Sequence, residues 1–377
     1  MNNETHLHII SFNIPYPANY GGVIDVFHKL RWLHRLGIHL HLHCFTYGRT
    51  EAKQLEVFCA SVHYYPRQIG WLKQLSTTPY IVHTRKSDVL LSNLLNDNYP
   101  ILFEGLHSCD LLSHPALRNR FKIYRESNIE HRYYFELAKS TTSYLHKLYF
   151  LVEALRLKWF QSNIAYTQLC LPVSYEDSRY LKQLFPMLSI ETLTSFHELD
   201  EVEILTGQGA YVLYHGNLSV PENENAALYI LKEIAPKIKY PIIIAGLQPS
   251  HYLQQQCSRY TQVELIANPD QEQMHQLISQ AQINLLLSFQ STGLKLKLLH
   301  ALYRGRHCLV NAHMLHGTTL EDACTVADTG NALVQAINDL FQQPFTTDAV
   351  ERRGRILKSA YSNSANATQL IHLLAKK

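Results

Sequence analysis

Lys295 and Lys297 follow closely on the small residues Ser291, Thr292 and Gly293, which themselves follow the buried-strand pattern Ile283-Asn284-Leu285-Leu286-Leu287. Helical spacing begins at once, with Leu296, Leu299 and Leu302 on one side and Gly305 closing it, and Cys308-Leu309-Val310 opens a further strand. A strand, a small polar turn and a helix N-terminus together make an anion site, because first-turn N–H groups have no intrahelical partners. Cations in that turn oppose the helix dipole. The pair therefore either stands in solvent or is offset by a ligand phosphate. A lysine pair alone favours solvent; the rest of the chain reverses that preference.

Other clusters carry weaker signals. The stretch E-S-N-I-E-H-R-Y-Y, Glu126 to Tyr134, gathers polar and aromatic groups where the strand Lys122-Ile123-Tyr124-Arg125 meets a helix. Open α/β sheets bind ligands at such carboxyl ends of strands, although Ser127 or Asn128 acting as a helix cap accounts for the segment equally well. His107 stands at the tip of the loop after another strand, Ile101 to Leu106. Gly21-Gly22 opens a helix after N-I-P-Y-P-A-N-Y and would let backbone approach a ligand, but a plain tight turn explains the pair as well. His39, His41 and His43 have a spacing that suggests metal, in a chain with 22 histidines. They alternate with Leu40 and Leu42, however, so they line one face of a strand, and a solvated or sheet-covered face is the stronger reading.

These groups need elements to position them, and the apolar rhythm supplies those elements. His8 to Phe12 reads as a strand, Val23 to Leu36 as a helix ended by Gly37, and Ile38 to Phe45 as a second strand. Short strands follow at 59–65 and 168–173, with a largely helical 71–98 and a long helix at 144–164. In that helix Leu145, Leu148, Val152, Leu155 and Trp159 form a stripe flanked by Lys147, Arg156 and Lys158. Such a stripe faces a core more often than a membrane surface. A polar, weakly periodic linker, 191–209, comes next. Strands at 211–214, 242–246 and 263–266 then alternate with helices at 226–238 and 269–280. Two separate alternations indicate two doubly wound α/β domains, 1–190 and 210–350, with a helical tail, 351–377, packing toward the first.

Composition narrows the partners. The chain has 377 residues and a net charge of +3, too small for a nucleic-acid protein but compatible with an anionic small ligand. No apolar run reaches the length of a membrane span. The start, M-N-N-E-T-H, lacks a basic, cleavable leader, so no signal peptide is expected. Seven scattered cysteines without C-x-x-C, with Cys44, Cys170 and Cys308 in apolar runs, read as reduced core residues of a cytoplasmic protein.

Taken together, four stretches resemble glycosyltransferases of the GT-B fold, family 4-like (glycosyl transferases group 1), in the group with Gly-x-Lys-x-Lys in its donor loop. They are the first strand with P-Y-P-A-N-Y-G-G, then R-E-S-N-I-E-H-R-Y-Y, then Y-H-G-N-L-S-V-P-E-N-E-N-A-A, then T-G-L-K-L-K-L-L-H-A-L-Y-R-G. Their order and spacing match over nearly the whole chain. The resemblance implies two Rossmann-like domains facing across a cleft, with a C-terminal helix crossing back to the N-terminal domain. It implies a UDP- or GDP-linked sugar held mainly by the second domain and a glycan or lipid-linked acceptor held mainly by the first. Retention at the anomeric carbon, no metal, no cofactor beyond the donor, and a cytoplasmic setting with peripheral contact at the inner face of the membrane belong to the same expectation.

On that likeness Asn217, Asn223, Thr292, Gly293, Leu294, Lys295, Lys297 and His300 hold the donor. Gly21, Gly22 and Asn128 line the acceptor side, and His107, Glu130 and His131 stand near the reacting centre. The chain also departs from the pattern. Thr292 and His300 replace an acidic pair, Asn217 and Asn223 replace the Arg and Lys that grip the diphosphate, and Ser127 replaces a histidine. Lys295 and Lys297 restore the lost positive charge, which a departing diphosphate requires. The missing acids leave a second reading open, a non-catalytic glycan- or nucleotide-binding protein on the same scaffold. A sugar-phosphate epimerase of that architecture fits less well.

Overall fold

The computed structural model describes residues 4–141, 143–289 and 295–375, so Thr292, Gly293 and Leu294 lie outside the described residues. The chain forms two compact units, Met1–Glu198 with Tyr361–Lys377, and Leu199–Ala360. The division falls after Glu198, inside the stretch read as a linker.

The first unit is built on a parallel sheet of β1 (His6–Ser11), β2 (His39–Thr46), β3 (Ser61–Pro66), β4 (Ile101–Glu104), β5 (Lys122–Glu126), β6 (Leu169–Pro172) and β7 (Ser189–Ile190). Its order is β3-β2-β1-β4-β5-β6-β7. The second unit holds β8 (Val212–Asn217), β9 (Ile242–Leu247), β10 (Val263–Ala267), β11 (Ile283–Leu286), β12 (His307–Val310) and β13 (Thr325–Val326). They pair in parallel in the order β10-β9-β8-β11-β12-β13. Helices cover both faces of such sheets, which is why β4, β6 and β11 are buried along their whole length. In each sheet the strand order reverses beside the first strand, between β1 and β4 and between β8 and β11. Doubly wound sheets open their ligand crevices at those points.

Two polar arrangements shape the first unit. Buried Asp25 takes Arg125 Nε and Nη2 at 3.2 and 3.1 Å, Lys29 Nζ at 3.0 Å and the Phe196 N–H at 2.7 Å. Lys29 also reaches Glu104 at 2.5 Å. Arg125 donates further to the carbonyls of Leu171, Leu193 and Thr194. The guanidinium thereby fixes the chain after β7 against the sheet. The histidine face is a hydrogen-bonded ladder. His6 Nδ1 meets His41 Nε2 at 3.1 Å, and His8 Nδ1 meets His43 Nε2 at 2.9 Å. His41 and His43 continue to Ser61 and Tyr65, and His8 Nε2 reaches Asp97 at 3.0 Å. Tyr99 stacks on His6 at 4.2 Å. Burial keeps these rings neutral: His8 is lowered, His43 well below its ordinary value, and His41 to about 4.

The helix Asn363–Ala375 packs Ala367, Leu370 and Leu374 into the core around Leu30, Leu33 and Leu40 of the first unit. Asn363 and Asn366 hold it there, by reciprocal bonds with His197 and by bonds to Thr194. The helix Thr347–Ala360 belongs to the second unit.

Three expectations are corrected. The stretch 71–98 is helical only in short pieces, a 3₁₀ turn Trp71–Leu75 and helices Tyr80–His83 and Asp88–Leu94, interrupted before Pro79 and restarted by Ser87 as cap. Ser127 and Asn128 do not cap the helix Glu130–Ser140, whose capping position is Ile129 with no side-chain bond. The stripe on the helix Tyr144–Phe160 faces solvent: Leu145 and Trp159 are each 81% exposed, while Glu153, Ala154 and Leu157 form the buried side. That helix is apolar on both sides, so periodicity alone could not choose between them.

Candidate functional site

In the second unit, β8 ends at Asn217 and the chain turns into the helix Pro221–Tyr229. Asn217 Oδ1 accepts from the Ser219 N–H and hydroxyl at 3.1 and 2.8 Å, closing the loop on itself. Asn223 Nδ2 donates to the Asn217 carbonyl at 2.9 Å. Tyr214 Oη, deep in the sheet, donates to the Asn223 carbonyl at 2.9 Å. Gly216 is small for a reason, since a Cβ there would lie 3.2 Å from the Asn223 side chain.

The lysines meet this region from the crossover between β11 and β12. Lys295 is the residue before the helix Leu296–Arg304, which has no side-chain cap. Lys297 Nζ donates to Asn223 Oδ1 at 2.8 Å and lies 5.3 Å from the Tyr214 ring centre. Lys295 Nζ stands 3.7 Å from Glu222 Oε1, which also accepts from the Ser288 hydroxyl. Asn311 locks Ser288 through two bonds, at 3.0 and 2.6 Å. Burial lowers both ammonium groups, Lys297 to about 8, with Lys295 adding repulsion and Glu222 opposing. His215 on β8 is buried, its Nε2 has no hydrogen-bond partner among the described residues, and burial with Lys297 and His300 nearby depresses it to about 3. His300 lies further along the lysine helix, its ring 6.2 Å from His275. Two half-buried cations thus stand beside a helix start, Lys295 paired with Glu222 and Lys297 bonded to Asn223, an arrangement that an incoming anion would stabilise.

In the first unit, the ends of β1, β4 and β5 converge. Gly105 follows β4 at φ +69°, and a Cβ on it would sit 3.4 Å from His107 Nδ1 and 3.6 Å from Ser127 Oγ. Only glycine takes that backbone freely. Gly22 lets its helix close on Phe12, where a Cβ would come within 2.6 Å of the ring tip. The His107 ring lies 5.4 Å from Phe12, and its Nδ1 lies 3.8 Å from Glu130 Oε1, beyond hydrogen bonding. Burial raises the Glu130 carboxyl to about 8, with Arg85 opposing, and drives His107 well below its ordinary value. Arg85 is itself lowered to about 9 by burial and is tied to the Phe12 carbonyl at 2.9 Å. Glu130 and His107 are therefore both neutral near pH 7, an acid and a base a short movement from sharing a proton. Glu126, also buried and raised by burial and by two nearby carboxylates, borders the same group. Beside the glycine loop lies a cavity of about 590 Å³ lined by Tyr16, Asn19, Arg49, Thr50 and Gln54 among others. Arg49 props it open by donating to the carbonyls of Ile14 and Pro17.

Of the residues singled out from the sequence, Asn217, Asn223, Lys295 and Lys297 meet in the second unit. Gly22, His107 and Glu130 meet in the first. Gly21 opens the helix Gly21–Arg35, and Asn128 lies between β5 and the next helix with its backbone toward Glu126. His131 is turned toward Phe135 and Tyr180, at 6.4 and 6.1 Å, and burial lowers it to about 4. Glu222, Ser288, His215 and Arg85 join these groups without a role assigned to them from sequence. The first three lie in or beside the quoted motifs, with an acid at a helix start as the one visible signal. Arg85 carried none.

No family model matches the chain. It is 26% identical over 316 residues to an uncharacterized 44.6 kDa protein in the cps region of Klebsiella pneumoniae, covering 78% of this chain and 79% of that protein. Among solved structures it is similar to HepE of Anabaena in complex with UDP and glucose, at TM-score 0.65 and 12% identity over 99% of this chain and 100% of that one. A glycosyltransferase from Rickettsia africae matches at TM-score 0.63 and 11% identity, over 99% and 98% of the two chains. The fold is that of the GT-B glycosyltransferases.

Proposed function

We propose that this chain is a glycosyltransferase that moves a hexose from a UDP- or GDP-linked donor to a glycan or lipid-linked acceptor, in polysaccharide biosynthesis. The observation that carries the reading is the Lys295–Lys297 pair beside the N-terminus of the helix Leu296–Arg304, with Glu222 the carboxylate partner of Lys295 and Asn223 the partner of Lys297. Breaking a glycosyl–phosphate bond places new negative charge on the departing diphosphate. Fixed cations and helix-terminal N–H groups stabilise that charge without reorganising, most strongly where water is scarce. The two ammonium groups supply what a divalent ion supplies elsewhere, so the transfer is metal-independent on this reading, with retention at the anomeric carbon. His300 and Thr292 take the donor's hydroxyls, and Asn223, itself tied to the Asn217 carbonyl, holds Lys297 in place.

In the first unit, Glu130 and His107 form the proton-handling pair beside the acceptor, and the cavity at Tyr16 and Arg49 gives an acceptor sugar room and polar partners. The UDP and glucose held by the similar Anabaena structure, and the cps-region relative, support this reading. A cytoplasmic setting and peripheral contact with the membrane that carries a lipid-linked acceptor complete it. The replacement of the usual acidic pair by Thr292 and His300 favours one alternative, a protein that binds nucleotide or glycan without turnover.

The test is incubation with a panel of UDP- and GDP-hexoses, following release of the nucleoside diphosphate with and without candidate acceptors. Slow cleavage of one donor, accelerated by an acceptor and abolished in Lys295→Ala/Lys297→Ala, is expected. Tight nucleotide binding with no release under any condition selects the non-catalytic alternative.

A further inference from the structure

We infer that the first unit docks on an anionic lipid surface through the outer face of the helix Tyr144–Phe160 and the turn Trp71–Leu75 beside it. This identifies the surface for the membrane contact proposed above and rests on that part of the reading. Leu145, Leu148, Val152, Leu155 and Trp159 recur at three- and four-residue steps along the helix, and all are exposed. The opposite side is anchored: buried Glu153 accepts from Arg156 Nη1 and from the Tyr80 N–H, each at 2.7 Å. Arg156 Nη1 also donates to the Gln74 carbonyl at 2.9 Å, which sets the turn against this helix. Trp71 and Leu75 of that turn are 72% and 73% exposed. Two tryptophans and a row of leucines therefore face solvent on adjoining elements, the kind of clustered apolar exposure that marks an interaction surface.

Charge selects the occupant. Residues 57–87 contain no Asp or Glu, and between 140 and 174 the single acid is Glu153, which is buried and paired. Lys147 and Lys158 are exposed beside the stripe, and Lys86 is exposed in the first of those stretches. A second copy laid on this stripe would bring Lys147 and Lys158 against like charges with no exposed acid on either stretch to answer them. Anionic headgroups answer them, and exposed tryptophan and leucine enter the boundary between headgroups and acyl chains.

The full chain, without donor or acceptor, is mixed with vesicles of equal parts phosphatidylglycerol and phosphatidylethanolamine, and with vesicles of phosphatidylcholine alone. Co-sedimentation and tryptophan emission are read. The expected result is binding to the anionic vesicles with a blue shift, and weaker binding to phosphatidylcholine or at high salt. Leu148→Ser with Trp159→Ser should reduce that binding at least about tenfold. Lys147→Glu with Lys158→Glu should reduce it on anionic vesicles only. These side chains are exposed, so an unchanged thermal unfolding transition verifies that the variants fold. Absence of binding, or binding indifferent to both pairs of substitutions, overturns the inference. So does a wild-type dimer that these substitutions dissociate, which would assign the face to a second copy. Lipid binding without sugar transfer leaves this surface standing and removes the proposed activity; transfer without lipid binding does the reverse.

Discussion

Lys297 titrates at about 8 instead of 10.5, chiefly because it is buried and has Lys295 as a neighbour. At about 1.4 kcal/mol per unit, roughly 3 kcal/mol of the ammonium's charge energy goes unmet until an anion arrives. A diphosphate placed beside it restores the charged form and raises the titration back toward the usual range. The protonated lysine binds the anion, so affinity is full below pH 8 and falls as pH rises through the free-state value, by about tenfold per unit until the bound-state value is reached. Isothermal titration of UDP between about pH 7 and pH 9 reads this directly. Lys297→Arg keeps its charge across that window and should flatten most of the slope, Lys295 leaving a residue. Lys297→Ala should weaken binding at neutral pH by about 1–3 kcal/mol, the scale of a charge-assisted bond. Equal slopes in wild type and Lys297→Arg, or unchanged affinity in Lys297→Ala, would refute the assignment of Lys297 to the phosphate site.

Glu130, raised to about 8, keeps its proton in the folded state while the unfolded chain gives it up above about 4.5, so stability falls as pH climbs from 4.5 to 8. Glu130→Gln should therefore stabilise the protein at pH 7 by up to about 3 kcal/mol and flatten that slope in urea unfolding, while lowering turnover. The histidine ladder has the opposite dependence. His8, His41 and His43 are held neutral, so stability is present above about pH 6.5 and is lost as pH falls toward the lowered values, about 4 for His41. His41→Gln should reduce that acid sensitivity in a pH series of thermal melts. Arg125→Met strips Asp25 of its bidentate partner and should cost about 3–5 kcal/mol in denaturant unfolding, with loss of the order it gives residues 193–196.

The parts of this protein that repeat were the parts the sequence disclosed. Strands such as Ile242 to Ala245 and Ile283 to Leu286 are buried on both faces, so their sequences are apolar throughout in the first and broken only by buried Asn284 in the second, and their crossover helices followed. The lysine turn was visible because its chemistry is local, a strand, small residues and a helix start in one stretch. Other features were set by tertiary contacts with no local mark. Arg85 reaches the Phe12 carbonyl across 73 residues, and Asp25 meets Arg125 across 100. The Tyr144–Phe160 helix misled for a different reason: with apolar residues on both faces, its pattern could not say which face the core takes. His131, next to Glu130 in sequence, looks elsewhere because consecutive residues on a helix point about 100° apart.

In a structure of the chain with bound UDP, the diphosphate should lie at the start of the helix Leu296–Arg304, with its oxygens in hydrogen-bond reach of Lys297 Nζ and Lys295 drawn from Glu222 toward them. A nucleotide seated elsewhere in the second unit, with the Lys297–Asn223 and Lys295–Glu222 contacts undisturbed, would contradict that placement.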